Sequence, residues 1–125
     1  MRLLLDTCIV YDWLMGEIAD TTVMSVSRAD DAYVSPITVW EMAIKHSIGK
    51  LPLPTTEVAG AITAQGFAWI AVQPSHAQTL FRLPSLHRDP FDRLLIAQAT
   101  AENMRVVTYD TIFADYLPDT LIATR

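Results

Sequence analysis

The chain has one cysteine, Cys8, and only four glycines in 125 residues. A single thiol excludes an intramolecular disulfide framework and a four-thiolate zinc site, and it accords with a reducing compartment. With glycine this sparse there is no Gly-rich phosphate-cradling loop. The G-x-S-x-G elbow of serine hydrolases is missing as well. Basic residues are few: nine Lys and Arg against fourteen Asp and Glu, for a net charge of −5. A protein that holds nucleic acid by bulk charge needs a basic face, so this balance argues against that mode. An acidic centre that recruits divalent cations, with local Arg and Lys about its rim, is still compatible with it. Long apolar runs are absent too. The run from Met1 to Asp6 is too short for a secretory signal. Val58 to Leu80 has no Asp, Glu, Lys or Arg, but Gln65, Gly66, Gln73, Pro74 and His76 interrupt it. It reads as a helix, a strand and a turn, not a membrane span. A soluble, cytoplasmic protein is expected.

What is present describes a well-cored domain. Apolar residues make up 51% of the chain and charged residues 18%. A chain of this length folds as one domain, residues 1–125, and buries roughly two-thirds of its unfolded surface. No internal repeat, low-complexity run or domain boundary stands out.

Arg2 to Leu5 is a short apolar run that ends at Asp6-Thr7, the pattern of a buried parallel strand followed at once by a helix. Helical spacing continues from Cys8 to Met15 and stops at Gly16. A second helix covers Thr21 to Arg28, and Ala32 to Ser35 reads as a strand. Ser35-Pro36 then opens a helix from Ile37 to Ile48, with Thr38, Glu41 and Lys45 on one face. Leu51-Pro52-Leu53-Pro54 is a rigid connector. Thr55 to Gln65 suits a helix and Phe67 to Val72 a strand, and Ser75 with Gln78 has capping-box spacing for a helix to Arg82. Asp89 caps a largely buried helix whose first position is Pro90. Met104 to Thr108 is a strand, Thr111 to Tyr116 a short helix, and Leu121 to Ala123 a last strand. Strands alternating with helices give an α/β fold, a parallel sheet with helices on both faces.

Ligands of such sheets bind outside the carboxyl ends of the strands, and four acids fall there. Asp6 ends the first strand and Asp110 follows a later one. Glu41 lies on the helix after another strand, and Asp92 is in the first turn of the Asp89-capped helix. Each has a local reading. Asp6 caps a helix, Glu41 pairs with Lys45 at i, i+4, Asp92 complements a helix dipole, and Asp110 makes a turn. Those readings do not explain four acids at one end of the sheet. Converging carboxylates repel and raise one another's pKa values, and a bound hard cation, Mg²⁺ or Mn²⁺, relieves the repulsion.

The segments Leu3-Leu4-Leu5-Asp6-Thr7, Ser35-Pro36-Ile37-Thr38-Val39-Trp40-Glu41, His87-Arg88-Asp89-Pro90-Phe91-Asp92-Arg93 and Val107-Thr108-Tyr109-Asp110 occur here in the order and spacing of a known family. The chain resembles the PIN-domain ribonucleases, and more narrowly the VapC toxins of toxin–antitoxin pairs, from Leu3 to about Ala123. The resemblance implies a PIN-like single domain and a metal-binding catalytic quartet of Asp6, Glu41, Asp92 and Asp110. It further implies Thr7, Ser35 and Thr108 as supporting hydroxyls and Mg²⁺ or Mn²⁺ as cofactor. The implied activity is endonucleolytic RNA cleavage by metal-activated water, and the implied partners are a VapB-type antitoxin and a second copy of the chain in a homodimer. Cys8 departs from the usual residue of relatives but touches no implied ligand.

Lys45, Lys50, Arg88 and Arg93 are the local cations able to meet RNA phosphates. His87 reads as a loop residue that contacts substrate or its own backbone. His46 and His76 read as surface or cap-region residues, and Trp13, Trp40 and Trp69 as core. Two rivals share the α/β pattern: a phosphoacceptor switch domain of the receiver kind, and a catalytically inactive PIN fold kept for binding. A receiver needs an aspartate that ends a central strand near mid-chain, where this chain reads Lys50-Leu51-Pro52-Leu53-Pro54.

Overall fold

The computed structural model describes residues 1–29 and 31–125. Strand β1, Arg2–Leu5, carries three consecutive leucines, all buried. Alternate residues of a strand point to opposite faces, so Leu3 and Leu5 enter one core and Leu4 the other. The chain continues through α1 (Thr7–Leu14), α2 (Asp20–Ser27), β2 (Asp31–Val34), α3 (Pro36–Ser47), α4 (Val58–Ala64) and β3 (Ala68–Trp69). Next come α5 (Pro74–Thr79), a 3₁₀ turn (Leu80–Arg82), α6 (Pro90–Glu102), β4 (Arg105–Thr108), α7 (Ile112–Tyr116) and β5 (Leu121–Ile122).

All strand pairs are parallel, in the order β3-β2-β1-β4-β5. Leu4 stands opposite Tyr33 of β2 and Val106 of β4. Ile9 and Val10 of α1, Met42 of α3 and Ile62 of α4 cover one face of the sheet. Leu95, Ile96 and Ala99 of α6 and Phe113 of α7 cover the other. After β1 the chain builds outward to β3, then adds β4 and β5 on β1's other side. The reversal opens a crevice at the carboxyl ends of β1 and β4, where such sheets bind their ligands. Receiver domains have the order 2-1-3-4-5, so this topology is not theirs.

The helix starts follow their local chemistry. Ser35 Oγ accepts from the Ile37 N–H at 3.2 Å, and Asp89 Oδ1 accepts from Phe91 and Asp92 N–H at 2.8 and 3.1 Å. Each cap precedes a proline at the first helical position. Gly16 and Gly49, at φ +73° and +74°, supply the left-handed turns after α1 and α3. At the end of α6 Asn103 takes φ 53° for the same purpose, asparagine being among the few residues that tolerate it.

Four local expectations change. Helix α4 starts at Val58, not Thr55, and β3 spans two residues instead of six. The cap of α5 is not Ser75 with Gln78 but Gln73 with His76. Trp40 and Trp69 are exposed, and Trp13 packs edge-on against Phe67 at 4.9 Å. No helix among the described residues is long and apolar enough to cross a membrane.

His76 is fully buried. Its Nδ1 accepts from the Gln73 N–H at 2.9 Å, so the ring proton sits on Nε2 and bonds Glu102 Oε1 at 2.8 Å. This ring ties α5 to the end of α6. His76→Ala deletes the ring and leaves the Gln73 N–H without its acceptor. It should destabilise the protein by about 3 kcal/mol, measured as a lower urea midpoint with an unchanged slope.

Candidate active site

Asp6 is the residue at which β1 ends and α1 begins. Its N–H extends the ladder to Val107 O at 3.0 Å, and Oδ1 caps α1 through the Thr7 N–H at 2.7 Å. Oδ2 accepts from Thr108 Oγ1 at 2.6 Å and from the Cys8 thiol at 3.2 Å. Because β1 and β4 are neighbours, a hydroxyl 102 residues away in sequence orients this carboxylate.

Glu41 is buried on α3. Oε2 pairs with Lys45 Nζ at 2.5 Å, one turn on, while Oε1 is buried with no hydrogen-bond partner among the described residues. Thr38, one turn earlier, meets the Thr7 hydroxyl at 3.1 Å and fixes α1 against α3. Of the three expected supporting hydroxyls, Thr108 bonds an acid directly. Thr7 and Ser35 act on the backbone elements that carry Asp6 and Glu41.

Asp92 and Asp110 meet at His87. The imidazole Nε2 lies 2.9 Å from Asp92 Oδ2 and 3.1 Å from Asp110 Oδ2. Nδ1 accepts from the Asp89 N–H at 3.2 Å, which places the proton of the neutral ring on Nε2, between the two carboxylates. The loop holds this ring by a further device. Tyr116 Oη accepts from the Leu86 and His87 N–H groups at 2.8 and 2.9 Å and donates to Pro84 O at 2.7 Å. The backbone contact of His87 agrees with the sequence. Its bridge between two acids was missed, because only the tertiary fold brings Asp110 to it.

Asp6, Glu41, Asp89, Asp92 and Asp110 line one cleft of about 330 Å³, together with Lys45 and Arg125. The expected quartet therefore shares a cavity. Burial, and then the charges of Asp6, Asp89, Glu41 and Asp110, push the Asp92 carboxyl up to about 8. Asp6 is also raised, by burial, against the lowering effect of its Thr108, Cys8 and Thr7 hydrogen bonds. Burial and Asp6 together push the Cys8 thiol far above its usual range. Contrary to the expectation that it touches no implied ligand, it is a protonated donor to Asp6, not a nucleophile. Lys45, hydrogen-bonded to Glu41, is held more firmly charged than usual.

The residues present fit a divalent cation. The donors are carboxylate oxygens, the ligands of hard ions, and Glu41 Oε1 is a buried acceptor with nothing to accept from. Carboxylate oxygens of Asp92 and Asp110 lie within 4.8 Å of each other on either side of the His87 ring. Arg88 and Arg93 lie outside this cleft, on an adjoining groove with Phe81 and Pro90. Arg93 bonds Pro84 O at 3.2 Å.

The PIN-domain family model matches residues 3–116. The chain belongs to the PIN-domain family. PIN domains are generally nucleases, and PIN nucleases generally use a divalent metal. Among solved structures, the chain is similar to VapBC-1 from nontypeable Haemophilus influenzae. The two share 18% identity over 98% of this chain and 97% of that one, at a TM-score of 0.69. VapBC2 from Rickettsia felis, bound to a DNA fragment from its promoter, shares 16% over 98% of both chains at 0.67. VapBC-5 from Mycobacterium tuberculosis shares 22% over 98% of both chains at 0.57. At such identities the likeness is one of fold. No curated protein matches the sequence.

A PIN domain with Asp92 raised this far has a defined pH response without metal. The folded state keeps a proton that the unfolded chain gives up between about pH 4 and the raised value of about 8. Stability in EDTA should therefore fall as pH rises through that window. Asp92→Asn should flatten the fall, read from urea midpoints at several pH values. Equal slopes for both proteins would contradict the assignment.

Proposed function

We propose that this PIN domain is an Mg²⁺- or Mn²⁺-dependent endoribonuclease, the toxin of a VapBC-type toxin–antitoxin pair, acting in the cytoplasm with a VapB-type antitoxin as partner and a homodimer as its assembly. One observation carries the reading: carboxylates from four separate segments crowd a single cleft, with Glu41 Oε1 buried and unpartnered. Membership of a family of nucleases and a fold shared with VapBC proteins support it.

In this reading Asp6 and Asp92 are the principal ligands, and Glu41 and Asp110 ligate directly or through water. Bound by these residues, a divalent ion would supply an acidified water and polarisation of a phosphoryl oxygen. Thr108 fixes the Asp6 carboxylate in one orientation. His87 keeps the inner oxygens of Asp92 and Asp110 facing each other and offers them a proton from Nε2. Thr7 and Ser35 keep α1 and α3 in register, so Asp6 and Glu41 face the same space. Lys45, Arg88 and Arg93 meet phosphates on either side of the cut. The substrate is single-stranded or looped RNA, whose phosphates and unstacked bases a narrow cleft can reach. Attack by water needs no 2′-hydroxyl and leaves a 5′-phosphate and a 3′-hydroxyl.

Purified protein should cut single-stranded RNA in Mg²⁺ or Mn²⁺, with both end groups as stated, and stop in EDTA. Asp6→Asn and Asp92→Asn should each lower the rate by about a hundredfold or more and remain folded by circular dichroism, since each removes a charge from a repelling cluster. Cleavage that persists in EDTA would overturn the metal mechanism.

A further inference from the structure

We propose that Arg125 is an RNA phosphate contact of the acidic cleft, held in position by Asp12 and Tyr109; this rests on the ribonuclease reading above and adds to it a contact for the substrate backbone. None of the three residues follows from the carboxylate pattern. Asp12 lies on α1 six residues after Asp6 and is buried. Its Oδ2 accepts from Tyr109 Oη at 2.7 Å and from Arg125 Nε at 3.1 Å. The Arg125 guanidinium lies 4.3 Å from the centre of the Tyr109 ring. A buried carboxylate and an aromatic face therefore grip one edge and one face of the guanidinium, while the Arg125 side chain as a whole is 67% exposed.

That grip leaves donors free. An arginine has five N–H groups in a planar fork, and only Nε is engaged among the described residues. The two terminal nitrogens, with four N–H groups, belong to a side chain that lines the same cleft as Asp6, Glu41 and Asp92. Lys45, the other cation in that lining, spends one of its three N–H groups on Glu41 and is held against it. RNA must bring a phosphate into a cleft of carboxylates, which repel it. Arg125 is the cation in the lining with the most hydrogen bonds to offer it, four N–H groups against two on Lys45. A planar fork suits two phosphate oxygens at once. Because Asp12 and Tyr109 already restrict the side chain, less freedom is lost when the phosphate arrives.

A purely structural latch makes a different prediction. If the Asp12–Arg125 pair only pins residue 125 to α1, its loss lowers stability and leaves RNA handling alone. Cleavage of a fluorescein-labelled single-stranded RNA in Mg²⁺ separates the two. Arg125→Ala should raise KM about tenfold with kcat changed less than about twofold. The slope of log affinity against log salt should become shallower by about 0.7, the share of one phosphate contact on a single strand. Arg125→Lys should recover the salt slope but only part of the KM, since an ammonium lacks the fork. Asp12→Asn should fall between wild type and Arg125→Ala. Arg28→Ala, which removes an exposed cation outside the cleft lining, should change neither reading. Unchanged KM and salt slope in Arg125→Ala would overturn the proposal, whatever happens to Tm. The exposed Arg125 side chain can be replaced without touching the core, so this result stands even if Asp12→Asn fails to fold. Wild-type protein that neither binds nor cuts the RNA would overturn the ribonuclease reading itself, a separate and recognisable result.

Discussion

Carboxylates repel one another, and holding several in one cleft is the constraint around which the rest of this structure is arranged. Each acid is restrained by a donor, some local to its own segment and some brought in by the fold. Asp6 takes the Thr108 hydroxyl and the Cys8 thiol, Glu41 takes the Lys45 ammonium, and Asp92 and Asp110 share the His87 ring. These donors orient the carboxylates but do not offset their burial, which raises Asp92 and Asp6. An acidic cleft left in this condition is poised for a cation. Rigid elements supply the precision: Asp6 is locked into the β1–β4 ladder through its own N–H, and Glu41 is carried by a helix tied to α1 by the Thr7–Thr38 contact.

Much of this was legible because short-range signals agree with the fold. Three leucines in β1 and two valines in β4 mark strands covered on both faces, and Ser35-Pro36 and Asp89-Pro90 mark helix starts that the structure contains. The four acids could be placed at one sheet edge from strand ends and the helix starts beside them. What sequence spacing leaves open is which side chain reaches which. His87 stands two residues before the cap of α6, and nothing local says that Asp110, 23 residues on, completes its contacts. His76 has the composition of a surface residue but is the buried half of a capping box, because Gln73 precedes Pro74 and takes the cap role that Ser75 was expected to fill. Trp40 fails in the opposite direction. An aromatic residue on a helix suggests core, yet the buried face of α3 is taken by Ile37, Thr38, Glu41 and Met42.

For the proposed ribonuclease, net charge bears on how RNA would be held. With five more acids than bases the molecule has no general attraction for a polyanion. A nuclease of this composition must separate its charges over short distances, with carboxylates at the centre of the cleft and individually placed cations at its rim. Arg88 and Arg93 border the neighbouring groove beside Phe81, and Lys45 and Arg125 line the cleft itself. Such an arrangement favours a substrate threaded past fixed points over one adsorbed along a surface. It makes binding depend on a few contacts whose loss is felt individually.

The strand order settles against the receiver rival that the sequence already disfavoured. In the receiver order the chain reverses after its second strand, and the middle strand of the sheet comes from mid-chain. Here the reversal comes after β3, and β1 stands in the middle with β2 and β4 on its flanks. The residue that leaves the central strand is therefore Asp6. Its neighbours across the crevice are whatever follows β2 and β4, namely the helix that carries Glu41 and the turn that carries Asp110. Asp92 enters because α6 crosses back over β1 and β4 to deliver the chain to β4, with its first turn at the same end of the sheet. Convergence of these four side chains is thus a consequence of topology. In the receiver order β3 separates β4 from β1, so Asp110 would stand one strand further from Asp6.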